Sequence, residues 1–393
     1  MTINQKIASS MVCERIKVLA VLATTLLTAC HAPDNSRKSD SIKVEREVLL
    51  SDITGKSNAV IAMSQGGFAI GGSRGTAWAV GVDRDGRLLW KYDEPRDDRA
   101  KTSDQSDFTG VVSLSNGNLL FCGRTETQAG DLGLITILDS SGKLVERRRL
   151  VPKQDRKFFA SEFLRCLHWN DGIAVLGSTT NGSTGFFWFV KLDATGEQLA
   201  ERVDPDMVST STDSTAAGGL VLAGYDVKGA QARLVHVDQR LTVLADRFIK
   251  GSGFGLLRSL RPRDDVRLIA YQGAGRALLY ALDDRLHDIS SPEKFEPLVM
   301  DPGCGYLLDD GSLALFGYVQ RGGGAFTLPY TAAVQWRDGS GRLKAEHIFS
   351  PNYASFSISD ALPLGSKRFL VVRDVTAQDP AASGLALSWV SFE

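Results

Sequence analysis

An all-β fold, in the form of a seven-bladed β-propeller, is predicted for this chain by three observations. A unit of short apolar strands, punctuated by Gly- and Asp-led turns, recurs seven times at intervals of about 46 to 56 residues. That period belongs to propeller blades rather than to helical solenoids. No stretch places apolar residues at i, i+3 and i+4 for three turns, so no helix competes. The last unit stops at Phe392-Glu393 directly after its third strand, while a strand of matching pattern lies just upstream of the first unit.

The chain opens with Arg15 and Lys17 followed by the apolar run Val18 to Leu27. This run is too short for the ~20 residues of a spanning helix, and it suits the apolar region of a signal peptide. Met11 to Ala29 alone makes a signal of ordinary length. It closes on Leu27-Thr28-Ala29-Cys30, which resembles the lipobox of bacterial lipoproteins. The resemblance implies that residues 1–29 are removed and that Cys30 becomes the N-terminus and carries fatty acyl chains, palmitate among them. His31 follows the cysteine where an Asp would retain the chain at the inner membrane, so the resemblance further implies the outer membrane, with the protein facing the periplasm. Residues 30–41, polar and without periodicity after the cysteine, read as the lipidated residue and a flexible tether. Residues 42–393 read as a single propeller domain.

Removing residues 1–29 takes away three basic residues and one acidic, leaving 42 basic and 45 acidic. No long single-sign run survives, which excludes a nucleic-acid binder and a polybasic membrane-surface protein. The 39 Gly against five His and five Met favour a turn-rich β protein. Beyond Cys13 and Cys30 the chain holds Cys122, Cys166 and Cys304. An oxidising compartment permits one disulfide among three, so at least one thiol stays free and buried; the equal reading makes all three small core residues.

The copies beginning at Gly66, Asn116, Asp171, Gly218 and Asp310 are well kept, and those at Asp265 and Lys367 are degraded. The first apolar strand of each ends at Gly72, Gly123, Gly177, Gly224, Tyr271, Gly317 and Arg373 in turn. Ahead of these strands lie further candidates: Phe108 to Ser113, Phe163 to His168, Leu256 to Leu260, Gly303 to Leu308 and Ser355 to Leu362. Each unit therefore has four strands, A to D. Turns such as Asp83-Arg84-Asp85-Gly86 and Asp139-Ser140-Ser141-Gly142 are the C-to-D hairpins, where Asp and Gly accept the dihedrals of a tight reversal. The segment Lys43-VEREVLLS, residues about 43–50, matches the D strand Leu144-VERRRLVP, and so is expected to complete the last blade and leave no open sheet edge at the closure.

Ala79-Val80-Gly81-Val82-Asp83, followed by Gly86 and Trp90, is similar to the A-x-D-x-x-x-G-x-x-x-W signature of bacterial propeller lipoproteins with PQQ-like blades, the outer-membrane assembly lipoproteins among them. The resemblance implies the fold. Other units carry Glu146, Gln198 or Ala345 near the Trp position.

The chain offers little for catalysis. His31, His168, His236, His287 and His347 are scattered with no H-x-H or H-x-x-x-H pair, so no metal site is expected. There is no G-x-S-x-G elbow, and no adjacent cysteines with a calcium cluster to serve a quinone dehydrogenase. Asp83-x-Asp85-Gly86 lacks the distal ligands of a calcium loop and reads as a hairpin turn. The expectation is no enzyme and no cofactor. A glycosidase needs only two channel carboxylates, which 45 acidic residues leave open.

In propellers the D-to-A and B-to-C loops share one face, and loops on a rigid scaffold carry binding. The loop after the first unit holds Arg96 and Arg99; the next holds Arg156, Phe158 and Phe159; a Gly-rich B-to-C loop holds Arg321 and Phe326. Aromatic and Arg residues in a polar rim are the composition of a binding hot spot. The expected function is a lipid-anchored, non-enzymatic protein-binding scaffold whose partner is an envelope or secreted protein, serving envelope assembly or immunity against a periplasm-targeted effector. The alternative is an envelope glycan hydrolase or a carbohydrate-binding propeller.

Overall fold

The computed structural model describes residues 40–95, 106–127, 130–153, 160–181, 185–204, 207–226, 231–249, 253–259, 263, 265–271, 277–295, 300–320, 330–349, 354–376 and 383–393. Within them every regular element is a strand. The first is β1 (Ile42–Leu50). Unit 1 follows as β2 (Lys56–Ala62), β3 (Phe68–Ser73), β4 (Ala77–Val82) and β5 (Leu88–Asp93). Unit 2 is β6 (Ser106–Ser113), β7 (Leu119–Thr127), β8 (Gly130–Leu138) and β9 (Leu144–Leu150). Unit 3 is β10 (Ala160–Trp169), β11 (Gly172–Thr180), β12 (Gly185–Asp193) and β13 (Gln198–Asp204). Unit 4 is β14 (Met207–Ser214), β15 (Leu220–Asp226), β16 (Ala232–Val237) and β17 (Val243–Ile249). Unit 5 is β18 (Gly253–Ser259), β19 (Val266–Tyr271), β20 (Ala277–Leu282) and the short β21 (Glu293–Phe295). Unit 6 is β22 (Met300–Leu307), β23 (Leu313–Gln320), β24 (Tyr330–Arg337) and β25 (Leu343–Ile348). The last three strands are β26 (Ala354–Gly365), β27 (Arg368–Thr376) and β28 (Gly384–Phe392).

Each unit is an antiparallel meander. Units 2 and 3 share a short parallel contact at Ala160 and Asp131, and units 5 and 6 share another where Arg258 and Ser259 meet Tyr306 and Leu307. The last three strands are completed by β1, which runs antiparallel to β28 from Ile42 opposite Phe392 to Leu50 opposite Leu385. Arg46 fastens this strand onward to unit 1: its guanidinium donates to the Arg84 carbonyl at 2.6 Å and to Asp85 at 2.8 Å, and stacks 3.7 Å from the Trp389 ring centre.

Strands B and C are continuous apolar runs because each sheet is covered on both faces. The buried apolar side chains sort into clusters that each bridge two consecutive units. Phe163 and Trp188 of unit 3 pack on Ile135 and Cys122 of unit 2, and Phe187 and Met207 join units 3 and 4. The series ends where Leu387 and Trp389 pack on Ile70 and Val80 of unit 1, so the ring is closed. The outer strands bury one face only, and β5 and β9 accordingly alternate between exposed and half-buried residues.

The glycine that ends strand B has a steric cause. Strand A bulges at the residue opposite it in units 1, 2, 3, 4 and 6. The bulge thrusts an A-strand carbonyl at the B strand, and a Cβ on Gly72, Gly123 or Gly177 would overlap the carbonyl oxygen of Lys56, Asp107 or Glu162. Unit 5, with Tyr271 at the same place, pairs across it without a register shift. The last unit keeps the bulge and carries Arg373, whose buried guanidinium pairs with Glu47 of β1. The A strands of units 1 and 4 had no counterpart among the expected strands. KSNAVIA opens on three polar residues, MVSTSTDS is mostly Ser and Thr, both are bulged, and their pattern does not separate from a loop.

The C-to-D hairpins repeat one device. The Asp139 carboxylate accepts the backbone N–H groups of Ser141 and Lys143 at 2.9 and 3.0 Å and the Ser141 hydroxyl at 2.7 Å. Asp83, Asp193, Asp238, Asp283 and Asp338 make the same amide bonds two and four residues on. At the fourth position Gly86, Gly142, Gly196 and Gly341 have positive φ, and Leu241 and Leu286 take the same conformation at 64° and 63°.

Two outcomes are expected. Gly123→Ala loses about 2–3 kcal/mol, read as a fall in urea midpoint, because the new methyl has no space beside the Asp107 carbonyl. The hairpin carboxylates also make stability pH-dependent. The Ser141 and Thr195 hydroxyls lead the lowering of the Asp139 and Asp193 pKa values, and the amides of Thr242 and His287 lead it at Asp238 and Asp283. The unfolded carboxylates hold protons more tightly, so this stability is present above about pH 4 and is lost as pH falls through the lower folded values. Asn at Asp139 and Asp193 keeps the turns and flattens the acid limb of a urea-midpoint profile; an unchanged slope would refute the assignment.

Candidate functional site

The inner strands of the units line the ring axis, and their polar side chains meet there. Asp360 of the last unit and Arg258 of unit 5, which are not neighbours, pair at 2.9 Å, so the bond spans the inner edge of unit 6. Arg258 also donates to the Tyr306 hydroxyl at 3.0 Å, and that hydroxyl donates to the Ala361 carbonyl at 2.6 Å. The second carboxylate oxygen of Asp360 accepts the Val60 amide of unit 1 at 3.4 Å. Arg165 of unit 3 completes the group. Burial, then the charge of Arg258, lowers its pKa, and Asp360 opposes both. Burial, then Asp360, pushes the neighbouring Cys304 thiol up to about 12. Five units thus contribute to one internal charge cluster around Asp360.

A second polar group lies toward the face of the D-to-A and B-to-C loops, at the starts of the A strands and the ends of the B strands. The buried Ser57 donates its hydroxyl to Asp374 at 2.6 Å and its amide to the same oxygen at 2.9 Å, and Ser359 donates to the other oxygen at 3.1 Å. The next residue, Asn58, reaches the other way and donates to Asp107 of unit 2 at 2.6 Å and to the Phe108 carbonyl at 2.9 Å. Burial raises the pKa of Asp107 against the pull of Lys56 and Arg124. Burial likewise raises Asp374 against the Ser57 bonds. Two carboxyls of raised pKa therefore bracket Ser57 and Asn58 at the loop-side mouth.

Cys30, Arg96, Arg99, Arg156, Phe158, Phe159, Arg321 and Phe326 all lie outside the described residues. What is described is where these loops leave the sheets. Glu94, buried at the end of β5, accepts from Tyr92 and from Arg147 of unit 2, each at 2.8 Å, so the root of the first loop is fixed to the next unit. The Lys153 amide donates to Glu201 of unit 3 at 2.7 Å. Cys122, Cys166 and Cys304 are free thiols. Cys122 and Cys166 face each other across units 2 and 3 beside Gly110, where a Cβ would come within 2.8 and 3.0 Å of their sulfurs. Burial, then Cys166, raises the pKa of Cys122.

Sequence reasoning passed over Arg258, Asp360, Asp107 and Asp374, and signals in the sequence could have found three of them. Leu256 to Leu260 and Ser355 to Leu362 each carry one charge inside an otherwise uncharged strand, and Asp374 follows Arg373 at the end of an apolar run. A charge in such a place needs a partner. Asp360→Asn leaves Arg258 and Arg165 without their shared counter-charge. With the Arg258 and Asp360 side chains still 24% and 13% exposed, the loss is about 2–3 kcal/mol in urea unfolding. A loss under about 0.5 kcal/mol, the range of a neutral surface change, refutes the cluster's structural role.

No protein-family model matches the sequence, and no curated protein sequence matches it. Solved structures do. The WD40 domain of Toxoplasma gondii coronin shares 11% identity, covering 90% of this chain and 86% of that one, with a TM-score of 0.51. Chaetomium thermophilum Raptor shares 12% identity with a TM-score of 0.53, covering 89% of this chain but 30% of that longer one. A Dos1 propeller aligns over 89% of this chain at 10% identity, with a TM-score of 0.46. At such identities the likeness is one of fold, and the fold it shows is the β-propeller.

Proposed function

We propose that this propeller is a lipid-anchored, non-enzymatic protein-binding scaffold of the bacterial envelope, held at the outer membrane through Cys30 and facing the periplasm. The observation that carries the reading is the construction of the loop-side mouth. Asp374, Ser57, Asn58 and Asp107 form a bonded polar floor across the last unit and units 1 and 2, and Glu94 ties down the root of the loop that bears Arg96 and Arg99. A rigid platform under long loops of Arg and Phe suits capture of a protein. The fold is compatible with this use and does not by itself assign it. The partner, an envelope component or a secreted effector, decides between a role in assembly and one in immunity.

Asp107 and Asp374 favour a second reading. Carboxyls of raised pKa at a channel mouth are the equipment of a glycan hydrolase or of a carbohydrate site. One experiment separates the two. The mature chain, tethered by its N-terminus, is exposed to solubilised envelope and to secreted proteins, and what it retains is identified by mass spectrometry. The scaffold reading expects one stoichiometric protein, lost with Phe158→Ala and Phe159→Ala and kept with Asp107→Asn. Release of soluble glycan fragments that stops with Asp107→Asn or Asp374→Asn would overturn it in favour of the hydrolase.

A further inference from the structure

The rim on the side of the C-to-D turns carries an apolar series that no neighbour covers. The C-to-D registers make Leu88, Leu144, Gln198, Val243 and Asp288 equivalent, opposite Val82, Leu138, Leu192, Val237 and Leu282. The residue after each points outward: Leu89, Val145, Leu199, Leu244 and Ile289, with 55, 56, 60, 56 and 58% of their surface exposed. Five consecutive units thus place an aliphatic side chain in water at one structural position. Unit 6 has Lys344 there, and β1 has Glu45. The rim is widened in units 1, 2 and 4 by the exposed Leu88, Leu144 and Val243. The turns beside it present the exposed cations Arg87, Lys143, Arg240 and Arg285, interleaved with the exposed acids Asp85, Glu197 and Asp284. The aspartates at the heads of these turns direct their carboxylates at backbone amides.

Scattered exposed aliphatics are ordinary, whereas an aliphatic kept outward at one structural position through five consecutive units is a repeated surface feature, and repeated exposed apolar surface marks an interaction site. Aliphatic side chains held outward suit the boundary between lipid acyl chains and headgroups, and the Lys and Arg among the turn charges can reach the phosphates while their stems stay with the apolar layer. The path of the chain names the occupant. β1 begins at Ile42, opposite Phe392 at the end of β28, which is the turn-side edge of the ring. Eleven residues, 31–41, separate Ile42 from Cys30. Fully extended they reach about 40 Å at most. A lipid on Cys30 is therefore joined to the turn-side edge of the ring by a tether of at most that length.

We propose that the turn-side rim of units 1 to 5 docks on the phospholipid surface in which Cys30 is anchored. This rests on the lipoprotein reading of Cys30. The rim orients the propeller so that its loop face projects into the periplasm.

The test uses the full chain expressed with its signal, purified from membranes and reconstituted into vesicles of phosphatidylethanolamine and phosphatidylglycerol. Mass spectrometry of the N-terminal peptide reads acylation of Cys30, and amide hydrogen exchange reads β5, β9, β13 and β17. Roughly fivefold slower exchange at the starts of these strands on vesicles is expected, with no change at the loop face. The protection is lost when Leu89, Val145, Leu199, Leu244 and Ile289 are replaced by Ser while acylation persists. The pair Leu199→Ser and Leu244→Ser, confined to units 3 and 4, serves if the fivefold variant does not fold. Acylated, vesicle-bound protein with unchanged rim exchange overturns the docking and leaves the anchor standing. An unmodified Cys30 overturns the anchor and the proposal with it. Rim protection that appears without vesicles, alongside a dimer in light scattering, assigns the surface to a second copy and overturns lipid docking.

Discussion

The structure depends on burial of each sheet on both faces. The B and C strands carry apolar side chains on alternate sides, and no single unit can cover both. Each unit therefore needs a neighbour on either flank, and the demand ends only when the last unit meets the first. The N-terminal strand answers it. β1 supplies the outer strand that the three C-terminal strands lack and joins the two ends of the chain in one sheet. It also places Glu47 against Arg373, a guanidinium with 3% of its surface exposed, and Ser388 donates to the same carboxylate at 2.9 Å. The pair makes the closure specific as well as apolar, because without β1 a buried cation has lost its counter-charge. Arg46 then carries the joint into unit 1.

The same constraint explains which parts of the fold are legible in the sequence. Two-sided burial writes itself as uninterrupted apolar runs, and β3, β8 and β28 can be read from residue types alone. The Asp-led hairpins are equally legible, since the carboxylate that holds each turn lies two and four residues from the amides it accepts. The spacing of β1 to the last unit was readable because the outer strands share one apolar and charged pattern. The inner strands of units 1 and 4 were not. Their ladders are broken by bulges, and Lys-Ser-Asn at the head of β2 and the Ser and Thr of β14 interrupt any alternation.

The channel was illegible for a further reason. Its bonds join residues far apart in sequence: Ser57 with Asp374, and Arg258 with Asp360. Nothing in the local pattern around Ser57 announces a carboxylate more than 300 residues away. Loop composition, by contrast, is visible at once, which is why Phe158, Phe159 and the loop arginines stood out in the sequence while Asp107 and Asp374 did not. The recurrent glycine shows how a local residue can still report a distant geometry. Gly72, Gly123 and Gly177 are the negative image of the carbonyls that the bulges push at them. The exception at Tyr271 coincides with the one inner strand paired without a register shift through that position.

The two faces of the ring are built to different rules, and the difference follows from what each must connect. On the turn side the reversals are short and uniform, so their residues repeat from unit to unit and any solvent-facing choice is multiplied around the rim. On the loop side the connections are unlike one another, from two residues between β7 and β8 to twelve between β5 and β6, which suits recognition of one irregular partner. A repeated surface fits a partner that is itself uniform in two dimensions, whereas a unique surface fits a unique one. An aliphatic position kept at 55 to 60% exposure through five units, and replaced by Lys344 and Glu45 in the remaining two, belongs to the first kind. The bonded mouth at Asp107 and Asp374, assembled from strands that differ in sequence at every unit, belongs to the second.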